Sequence, residues 1–357
     1  MSISSVLPRL LARRRFSFGQ LPTCGTVPQH VDPMLERSGH STDHGPSPSQ
    51  RRKNGIPSVA MISATATTYA DFMRAMGHRV VETRSSHWYD ASRFFYLSAP
   101  SHRVASPTDD ELRVVLRQFP CLGVRFAAPF QASGKLSYQI VCDNREYGIE
   151  ALSANVRSKV RRGLKRCTVT PVPFDMIASA GRRAHTDTLA RQGREGVLSD
   201  KSWDRFWAAA AAAPGVEVWG AWSAADVLAA FLVTVTFDES VEFLLARSCS
   251  DELHAYPNNA LIFHVTEEML GRRGVPEITF GLESLEPVGP LDQFKFSMGF
   301  RARPLRQRIV FHPLLRALLR HAPVRALFHR WSDRHGAEAV FWRKAAGLLR
   351  FAEEGGL

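Results

Sequence analysis

Apolar residues recur at helix or strand spacing from about residue 61 onward, whereas residues 1–60 show no such period. That first stretch is rich in Pro, Gly, Ser, Thr and His, a composition that buries too little apolar surface to fold. We therefore predict a disordered N-terminal segment over 1–60. Because Met61 begins the first segment with a folded pattern, a natural start at that residue is the alternative.

Residues 61–150 alternate short apolar runs with one helical segment. Strands are predicted at Arg79–Thr83, Arg93–Leu97, Gly123–Ala127 and Leu136–Cys142. A helix is predicted after Thr108, with acidic residues in its first turn and an apolar face made of Leu112, Val115, Leu116 and Phe119. The pattern predicts a small α/β half over 61–150.

The next segment, LSANVRSKVRRGLKR, predicts a basic helix because apolar residues recur every four positions, at Leu152, Val156, Val160 and Leu164. Its other faces carry Arg157, Lys159, Arg161, Arg162, Lys165 and Arg166. These cations are typical of a solvated surface, and the alternative is contact with the phosphates of a tRNA, a nucleotide-linked sugar or a lipid head group. We assign 151–173 to this linking helix and its connection.

A regular α-α-β-β-β-α-β-α-β order follows over 174–311. The predicted helices are Phe174–Arg191, Ser199–Ala212, Asn258–Arg273 and Leu291–Met298. The predicted strands are Val216–Trp222, Val227–Phe237, Val241–Arg247, Glu277–Gly281 and Arg303–Phe311. Residues 312–357 read as two C-terminal helices, broken at Pro323, with Leu, Phe and Trp on one side and arginines beside them. We favour packing of this tail on the core or on a second copy, with docking on an anionic membrane surface as the alternative.

The distribution of charge and the cysteines indicate the kind of partner and the cellular compartment of the protein. The net charge of +12 belongs to the two ends of the chain and to the basic helix, because residues 61–300 hold 26 Lys and Arg against 27 Asp and Glu. This distribution indicates local anionic contacts instead of a surface that coats nucleic acid. Five scattered cysteines without a CxxC pair indicate reduced thiols. We expect a cytoplasmic protein, peripheral at the inner membrane face if the tail docks there, with a transit peptide as the less favoured interpretation of the arginine-rich start.

Three segments carry a family resemblance: AYPNNALIFHVTEEMLGRRGVPEITFGLES, GPLDQFKFSMGFRAR and the basic helix. Together they resemble the FemAB-like and GNAT type 6 (CelD/BioF-like) acyltransferases over about 140–320. The resemblance implies an α/β (α+β) fold: a GNAT-like mixed sheet flanked by helices over 174–311, preceded by a smaller, degenerate GNAT-like half. It also implies an N-acetyltransferase or aminoacyltransferase that binds no permanent cofactor and takes acyl-CoA or aminoacyl-tRNA as co-substrate.

The resemblance and the helix pattern together suggest a site. In the GNAT fold two neighbouring strands separate, and the next helix points its N-terminus into the gap, where free N–H groups attract phosphate or an oxyanion. Here those donors would belong to Asn258, Asn259 and Ala260, with Asn258 as a mere helix cap being the alternative. The basic helix would add Arg161, Arg162 and Lys165 to donor binding. Tyr256 and Phe294 would line the substrate.

Two departures from the family pattern bear on the chemistry. The stretch ARSCSDELHAYPNN lacks the glycine-rich pyrophosphate loop of enzymes that use acyl-CoA, which favours the aminoacyl-tRNA branch. Lys295 stands where many GNAT domains have a catalytic tyrosine, and its cation could stabilise the tetrahedral oxyanion; the alternative is an exposed surface lysine. Glu283 is the candidate base, or else a solvated carboxylate, whereas Asp292 is more simply a dipole-compensating residue. No metal-ligand spacing is present among the histidines.

The leading functional hypothesis is transfer of an acyl or aminoacyl group to an amine of a cell-envelope or polysaccharide precursor. The substrate class rests on the family resemblance. A second hypothesis is a GNAT-like binding module without chemistry, and a third is a peripheral membrane or nucleic-acid-binding protein that acts through its basic ends. The sequence leaves the acceptor and the oligomeric state open.

Overall fold

The computed structural model describes residues 65–92, 94–192, 198–224, 226–238, 240–285, 289–335 and 340–356. The predicted disorder of 1–60 lies outside these residues. In chain order the helices and strands are α1 Ala66–Ala75, β1 Val80–Glu82, β2 His87–Ser92, β3 Phe95–Ala99, α2 Asp109–Leu116, β4 Gly123–Ala128, β5 Lys135–Cys142, α3 Ala154–Arg166, β6 Cys167–Pro171, α4 Phe174–Arg191, α5 Asp200–Ala212, β7 Val216–Ser223, β8 Leu228–Phe237, β9 Ser240–Ser248, α6 Pro257–Gly271, β10 Glu277–Leu282, α7 Gly289–Ser297, β11 Arg301–Phe311, α8 Pro313–Leu319, α9 Ala322–His335 and α10 Val340–Glu354.

The strands of the described residues form one mixed sheet in the order β1-β2-β3-β4-β11-β5-β10-β9-β8-β7-β6. The two central strands are exchanged between the halves of the chain. Strand β11, from the C-terminal half, pairs antiparallel with both β4 and β5. Strand β5, from the N-terminal half, pairs antiparallel with β10. Each half therefore completes the sheet of the other.

The two halves repeat one arrangement. In the first, three strands are followed by helix α2 and by β4, which runs parallel to β3. In the second, three antiparallel strands are followed by helix α6 and by β10, which runs parallel to β9. The expectation of a GNAT-like mixed sheet flanked by helices, preceded by a smaller half of the same kind, is confirmed by this topology.

Helices cover both faces of the second half. On one face α3 and α6 pack on the sheet, and the inner residues of α6 are the predicted Leu261, Ile262, Val265 and Met269, none more than 2% exposed. On the other face α1, α4 and α5 bury an aromatic cluster that includes Trp203 and Trp207. The four cysteines in the described part of the chain are free and buried, which agrees with the reduced thiols expected. No helix there is long and apolar enough to cross a membrane.

Several details of the sequence pattern are corrected. Elements α1, β2 and β6 were not predicted, and the tail forms three helices instead of two. Helix α2 ends at Leu116, so Phe119 lies beyond it and is 83% exposed instead of facing the core. On α3, Leu164 is 40% exposed and Gly163 is buried in its place. The reason is that α3 approaches α6 too closely for a side chain: a Cβ on Gly163 would lie 2.7 Å from the Tyr256 carbonyl oxygen.

Candidate functional site

Strands β9 and β10 are neighbours only briefly. Their parallel register runs from Glu277 opposite Ser240 to Thr279 opposite Glu242, and it pairs no later residue of either strand. Strand β9 also carries an irregularity, because Phe243 and Leu245 face consecutive residues of β8. A bulge of this kind bends a strand and is common beside active sites. The two strands therefore separate after Thr279, as the resemblance to GNAT enzymes implied.

Helix α6 is the first α-helix after β9, and its first turn offers two N–H donors. Tyr256 precedes the helix in a left-handed conformation (φ 59°), and Pro257 has no N–H. The N–H of Ala260 donates to the Tyr256 carbonyl at 3.1 Å, so the predicted third donor is already engaged. The N–H groups of Asn258 and Asn259 remain in the first turn, where anions bind favourably.

The side chain of Asn258 does not cap α6. The cap position is held by Tyr256 without a side-chain hydrogen bond, so the interpretation of Asn258 as an N-cap is wrong. Instead, Asn258 Nδ2 donates to Ser248 Oγ at 3.2 Å, and Asn259 Nδ2 lies 3.5 Å from the Met298 sulfur. The start of α6 is thereby linked both to the end of β9 and to the residue after α7.

The basic helix α3 lies against the loop that leads into α6. The Arg162 guanidinium stacks over the Tyr256 ring at 4.5 Å, and Arg166 donates to the His254 carbonyl at 2.8 Å. The other predicted donor-binding cations are placed differently: Arg161 lies 3.2 Å from the Glu150 carboxylate, and Lys165 is exposed. Arg162 therefore contacts Tyr256, the residue that precedes α6.

Lys295 is buried, not an exposed surface lysine, because it is only 5% exposed. Its Nζ lies 3.0 Å from Asp292 Oδ1 and 5.5 Å from the centre of the Phe280 ring. Asp292 also accepts a hydrogen bond from the Tyr138 hydroxyl at 2.8 Å. Burial, and next this hydrogen bond to Asp292, raise the pKa of Tyr138. Asp292 is thus more than a dipole-compensating residue, since it joins Lys295 to Tyr138.

The group formed by Lys295, Asp292 and Tyr138 adjoins the point where β9 and β10 separate. Phe280 follows the last paired residue of β10, and its ring lies 5.1 Å from that of Phe243, the next residue of β9 beyond the pairing. The Lys295 ammonium faces the Phe280 ring from α7. Phe294, predicted to line the substrate, is 8% exposed and packs within this aromatic core. Sequence reasoning missed Tyr138 because it comes 154 residues before Asp292.

Glu283, the predicted base, is held at the end of β10 by donors from three strands. Its carboxylate accepts a hydrogen bond from Ser137 Oγ at 2.7 Å and lies 3.5 Å from Lys135 Nζ. Its carbonyl accepts from Arg125 at 3.0 Å and from Gln307 at 3.2 Å. The N–H of Glu283 donates to the Tyr138 carbonyl at 2.8 Å, and the Tyr138 hydroxyl donates to Asp292, so Tyr138 contacts both Glu283 and the partner of Lys295.

One further cluster gathers at the end of β9. Ser248 Oγ accepts a hydrogen bond from Arg191 at 2.9 Å, and its carbonyl accepts from Thr188 at the same distance. Thr188 and Arg191 are three residues apart on α4. This spacing places them on the same side of a helix, so the sequence could have shown their proximity once the helix was predicted. They fix Ser248, and through it Asn258, beside the opening.

Among the residues that the structure describes, one group of three side chains could offer ligands to a metal ion. Asp187, Cys249 and Asp251 bring their ligand atoms within 4.8 Å of one another. Burial raises the pKa of the Cys249 thiol to about 11, so a metal ion would have to displace the proton of this thiol in order to bind it. The Asp187 carboxylate already accepts from the Ser250 hydroxyl at 2.8 Å.

His185 makes the stability of this region dependent on pH. Burial, and next the positive charges of Arg247 and Arg182, lower the pKa of His185 to about 3. Arg247 Nε donates to His185 Nδ1 at 3.2 Å, which requires a neutral imidazole. In the unfolded chain this imidazole gains a proton below about pH 6.5, whereas in the folded protein it stays neutral down to about pH 3. The contribution of neutral His185 to the free energy of unfolding is therefore fully present above pH 6.5. It decreases as the pH falls below that value.

We expect His185→Gln to remove this loss, because the glutamine oxygen can accept from Arg247 without titrating. Between pH 7.5 and pH 5 the wild type should lose about 2 kcal/mol more free energy of unfolding than the variant. Denaturant unfolding at both pH values measures the difference, with the exposed His321→Gln as the matched control. An equal pH dependence in wild type and His185→Gln would contradict the expectation.

Comparisons with known proteins bear on the fold. No protein-family model and no curated protein matches the sequence. Among solved structures, that of FemX has a TM-score of 0.49 at 10% identity, covering 71% of this chain and 93% of its own. The C-terminal DUF2156 domain of a putative lysylphosphatidylglycerol synthetase from Agrobacterium fabrum has a TM-score of 0.49 at 12% identity, covering 69% and 87%. A GCN5-related N-acetyltransferase from Kribbella flavida has a TM-score of 0.37 at 10% identity, covering 70% and 96%. Identities this low carry no information on donor or acceptor.

Proposed function

We propose that the chain is an N-acyltransferase that moves an acyl or aminoacyl group to an amine of a cell-envelope or polysaccharide precursor. The observation that carries the proposal is the group formed by buried Lys295 with half-buried Asp292 and Tyr138, beside the opening between β9 and β10. A lysine held at 5% exposure needs a reason, because burial of an ammonium is unfavourable unless it is paired. A fixed cation beside a strand opening is suited to stabilise the oxyanion of acyl transfer.

The donor would bind at the start of α6. The N–H groups of Asn258 and Asn259 and the positive end of the helix dipole favour a phosphate of the donor, and Arg162 adds a full charge nearby. The loop between β9 and α6 contains no glycine and forms a short 3₁₀ turn, Leu253–Ala255, instead of a pyrophosphate loop. This supports aminoacyl-tRNA over acyl-CoA as the donor.

In the proposed reaction the acceptor nitrogen attacks the donor carbonyl carbon and forms the new C–N bond. The carbonyl electrons move to its oxygen, and the Lys295 ammonium stabilises that negative charge. Collapse of this intermediate breaks the bond to the leaving group, a tRNA ribose oxygen or a CoA sulfur. Glu283 accepts the proton that the amine loses and then returns it to the leaving oxygen or sulfur, so the proton count balances and Glu283 is regenerated. Asp292 and Tyr138 position the Lys295 side chain.

A donor panel tests the proposal. Protein purified under mild conditions is first examined by native mass spectrometry for a bound donor fragment. Acyl-CoA thioesters and a mixed pool of aminoacyl-tRNAs are then supplied with amine acceptors that include peptidoglycan precursors and amino sugars, and amide products are identified by mass spectrometry. Amide formation that fails in Lys295→Ala but persists in Lys201→Ala, an exposed lysine on α5, supports the proposal. Saturable donor binding without any amide product would favour a binding module without chemistry, and salt-sensitive binding of RNA without product would favour a nucleic-acid-binding protein.

Replacing Arg162 by alanine should weaken donor binding without abolishing turnover. Loss of one phosphate contact is expected to raise the donor KM about tenfold, with kcat changed less than twofold, because the contact is made equally in ground and transition states. The slope of the logarithm of the donor-binding constant against the logarithm of the salt concentration should also become shallower by about one unit, the change expected for loss of one phosphate contact. Lys159→Ala on the same helix is the matched control. An unchanged KM would mean that Arg162 packs on Tyr256 but does not bind the donor.

A further inference from the structure

The tail helices α8 and α9 pack with one face and expose the other. Leu319 on α8 is 6% exposed and joins a small core with Phe311, Leu349 and Ala352, against which Leu315 and Phe328 also pack. Beside the packed positions, large apolar side chains are exposed at helical spacing, i and i+4 on each helix: Leu314 78%, Leu318 41%, Leu327 67% and Trp331 50%. The expectation that the tail packs on the core therefore describes its inner face only.

The exposed side is also strongly basic. Residues 313–332 contain four arginines and no Asp or Glu. Arg325 points inward, with its Nε 3.0 Å from the Glu353 carboxylate, whereas Arg316, Arg320 and Arg330 are exposed. Together the four exposed apolar residues and these three arginines form what we name the outer tail face.

The outer tail face continues towards α2. A groove of about 360 Å³ separates α8 from α2, with Leu112, Leu116 and Phe311 among its lining residues, and its charged lining consists of three arginines and one acid: Arg113, Arg316, Arg320 and Asp109. Leu122, which accepts a hydrogen bond from the N–H of His312 at 2.8 Å, is 39% exposed, and Phe119 is exposed in the same loop. Apolar and basic groups are thus combined over a wider area than the tail alone.

We propose that the outer tail face docks on the surface of an anionic phospholipid bilayer. The leucines and tryptophan would enter the boundary between head groups and acyl chains, and the arginines would contact lipid phosphates. Charge complementarity selects this partner over a second copy of the chain. Two copies joined through the same face would bring their arginines together, and residues 313–332 hold no acid to neutralise them. The proposal is independent of the transfer activity.

Vesicle flotation with the full chain tests the proposal. The probes are vesicles of phosphatidylcholine with 40% phosphatidylglycerol and vesicles of phosphatidylcholine alone, each at low and high salt. Binding should require phosphatidylglycerol and weaken with salt. The variant Arg316→Gln/Arg320→Gln/Arg330→Gln should bind about 100-fold more weakly, at about fivefold per arginine. Leu314→Ser/Leu318→Ser/Leu327→Ser should lose at least about tenfold, because buried apolar area is lost.

Matched controls separate this face from general charge and apolarity. Lys201→Gln/Arg205→Gln/Arg273→Gln removes the same number of exposed positive charges elsewhere, and Val104→Ser/Leu136→Ser/Met176→Ser replaces exposed apolar residues elsewhere. Both control variants should bind like the wild type. Binding that is absent, equal on neutral vesicles, or equally weakened by test and control charge variants would overturn the proposal. So would self-association that the leucine variant abolishes while vesicles remain unbound, because a second copy would then cover the face.

Discussion

Lys295→Ala should lower turnover by about 100-fold or more, the scale for losing one oxyanion-stabilising donor. The same substitution should reduce the free energy of unfolding by about 3 kcal/mol, because it leaves the Asp292 carboxylate, whose side chain is 14% exposed, without its cation. Replacement of an exposed surface lysine, the alternative that the sequence left open, would cost little stability. The ion pair of 3.0 Å between Lys295 and Asp292 changes that expectation.

A neutral pair separates the two effects. Lys295→Met with Asp292→Asn removes both charges and keeps the side-chain volumes, and the asparagine oxygen can still accept from the Tyr138 hydroxyl. Denaturant unfolding should show most of the lost stability restored, whereas turnover should stay as low as in Lys295→Ala. Recovery of turnover in the double variant would mean that Lys295 acts only by stabilising the fold.

The second large effect concerns the exchanged strands. Truncation after Phe300 should abolish soluble expression of the N-terminal half as well as of the C-terminal half. Strand β11 pairs with β4 from Gly123 to Ala128 and with β5 from Lys135 to Val141, so its loss leaves both as open edges. The domain boundaries drawn from the sequence, 61–150 and 174–311, remain a prediction. The exchange predicts that neither segment folds alone.

Fragment complementation measures this dependence. The chain is divided between Asn144 and Arg145, beyond the end of β5, and each fragment is expressed alone and together with the other. Neither should be soluble alone, and the coexpressed fragments should co-purify as one folded complex. Deletion of residues 1–64, which keeps every described strand, is the control and should remain soluble. A soluble, cooperatively unfolding N-terminal fragment would contradict the expectation.

Local signals in the sequence account for the elements that were predicted well. Helix α5 begins after Ser199, whose side chain accepts the N–H of Ser202, and α6 ends before Gly274, which has a positive φ. Helix α1 was missed although Thr65, its N-cap, and Thr68, in its first turn, form a capping box. Its signal was present in the pattern. Strand β6, by contrast, is a short edge strand that ends in a proline, and such strands carry little local signal.

The candidate site could be predicted only in part, because its residues meet through tertiary packing. Lys295 and Asp292 lie one helical turn apart and could be paired from sequence, but Tyr138 reaches them from β5. Its place there follows from the strand exchange, which no local pattern encodes. The burial of Gly163 has the same origin: the helix period pointed to Leu164, and the close approach of α6 selected the glycine.

The exchange also has a consequence for the growing chain on the ribosome. Strand β4 ends at Ala128, and its partner β11 ends only at Phe311. At about 5 to 20 residues per second, synthesis of the intervening segment takes on the order of 10 to 40 s. Throughout that interval the hydrogen-bonding edge of β4 lacks its native partner. The N-terminal half can therefore complete its sheet only after β11 has been synthesised. Slower translation of the segment between β4 and β11 should lengthen the time for which the edge of β4 is exposed to chaperones and to aggregation.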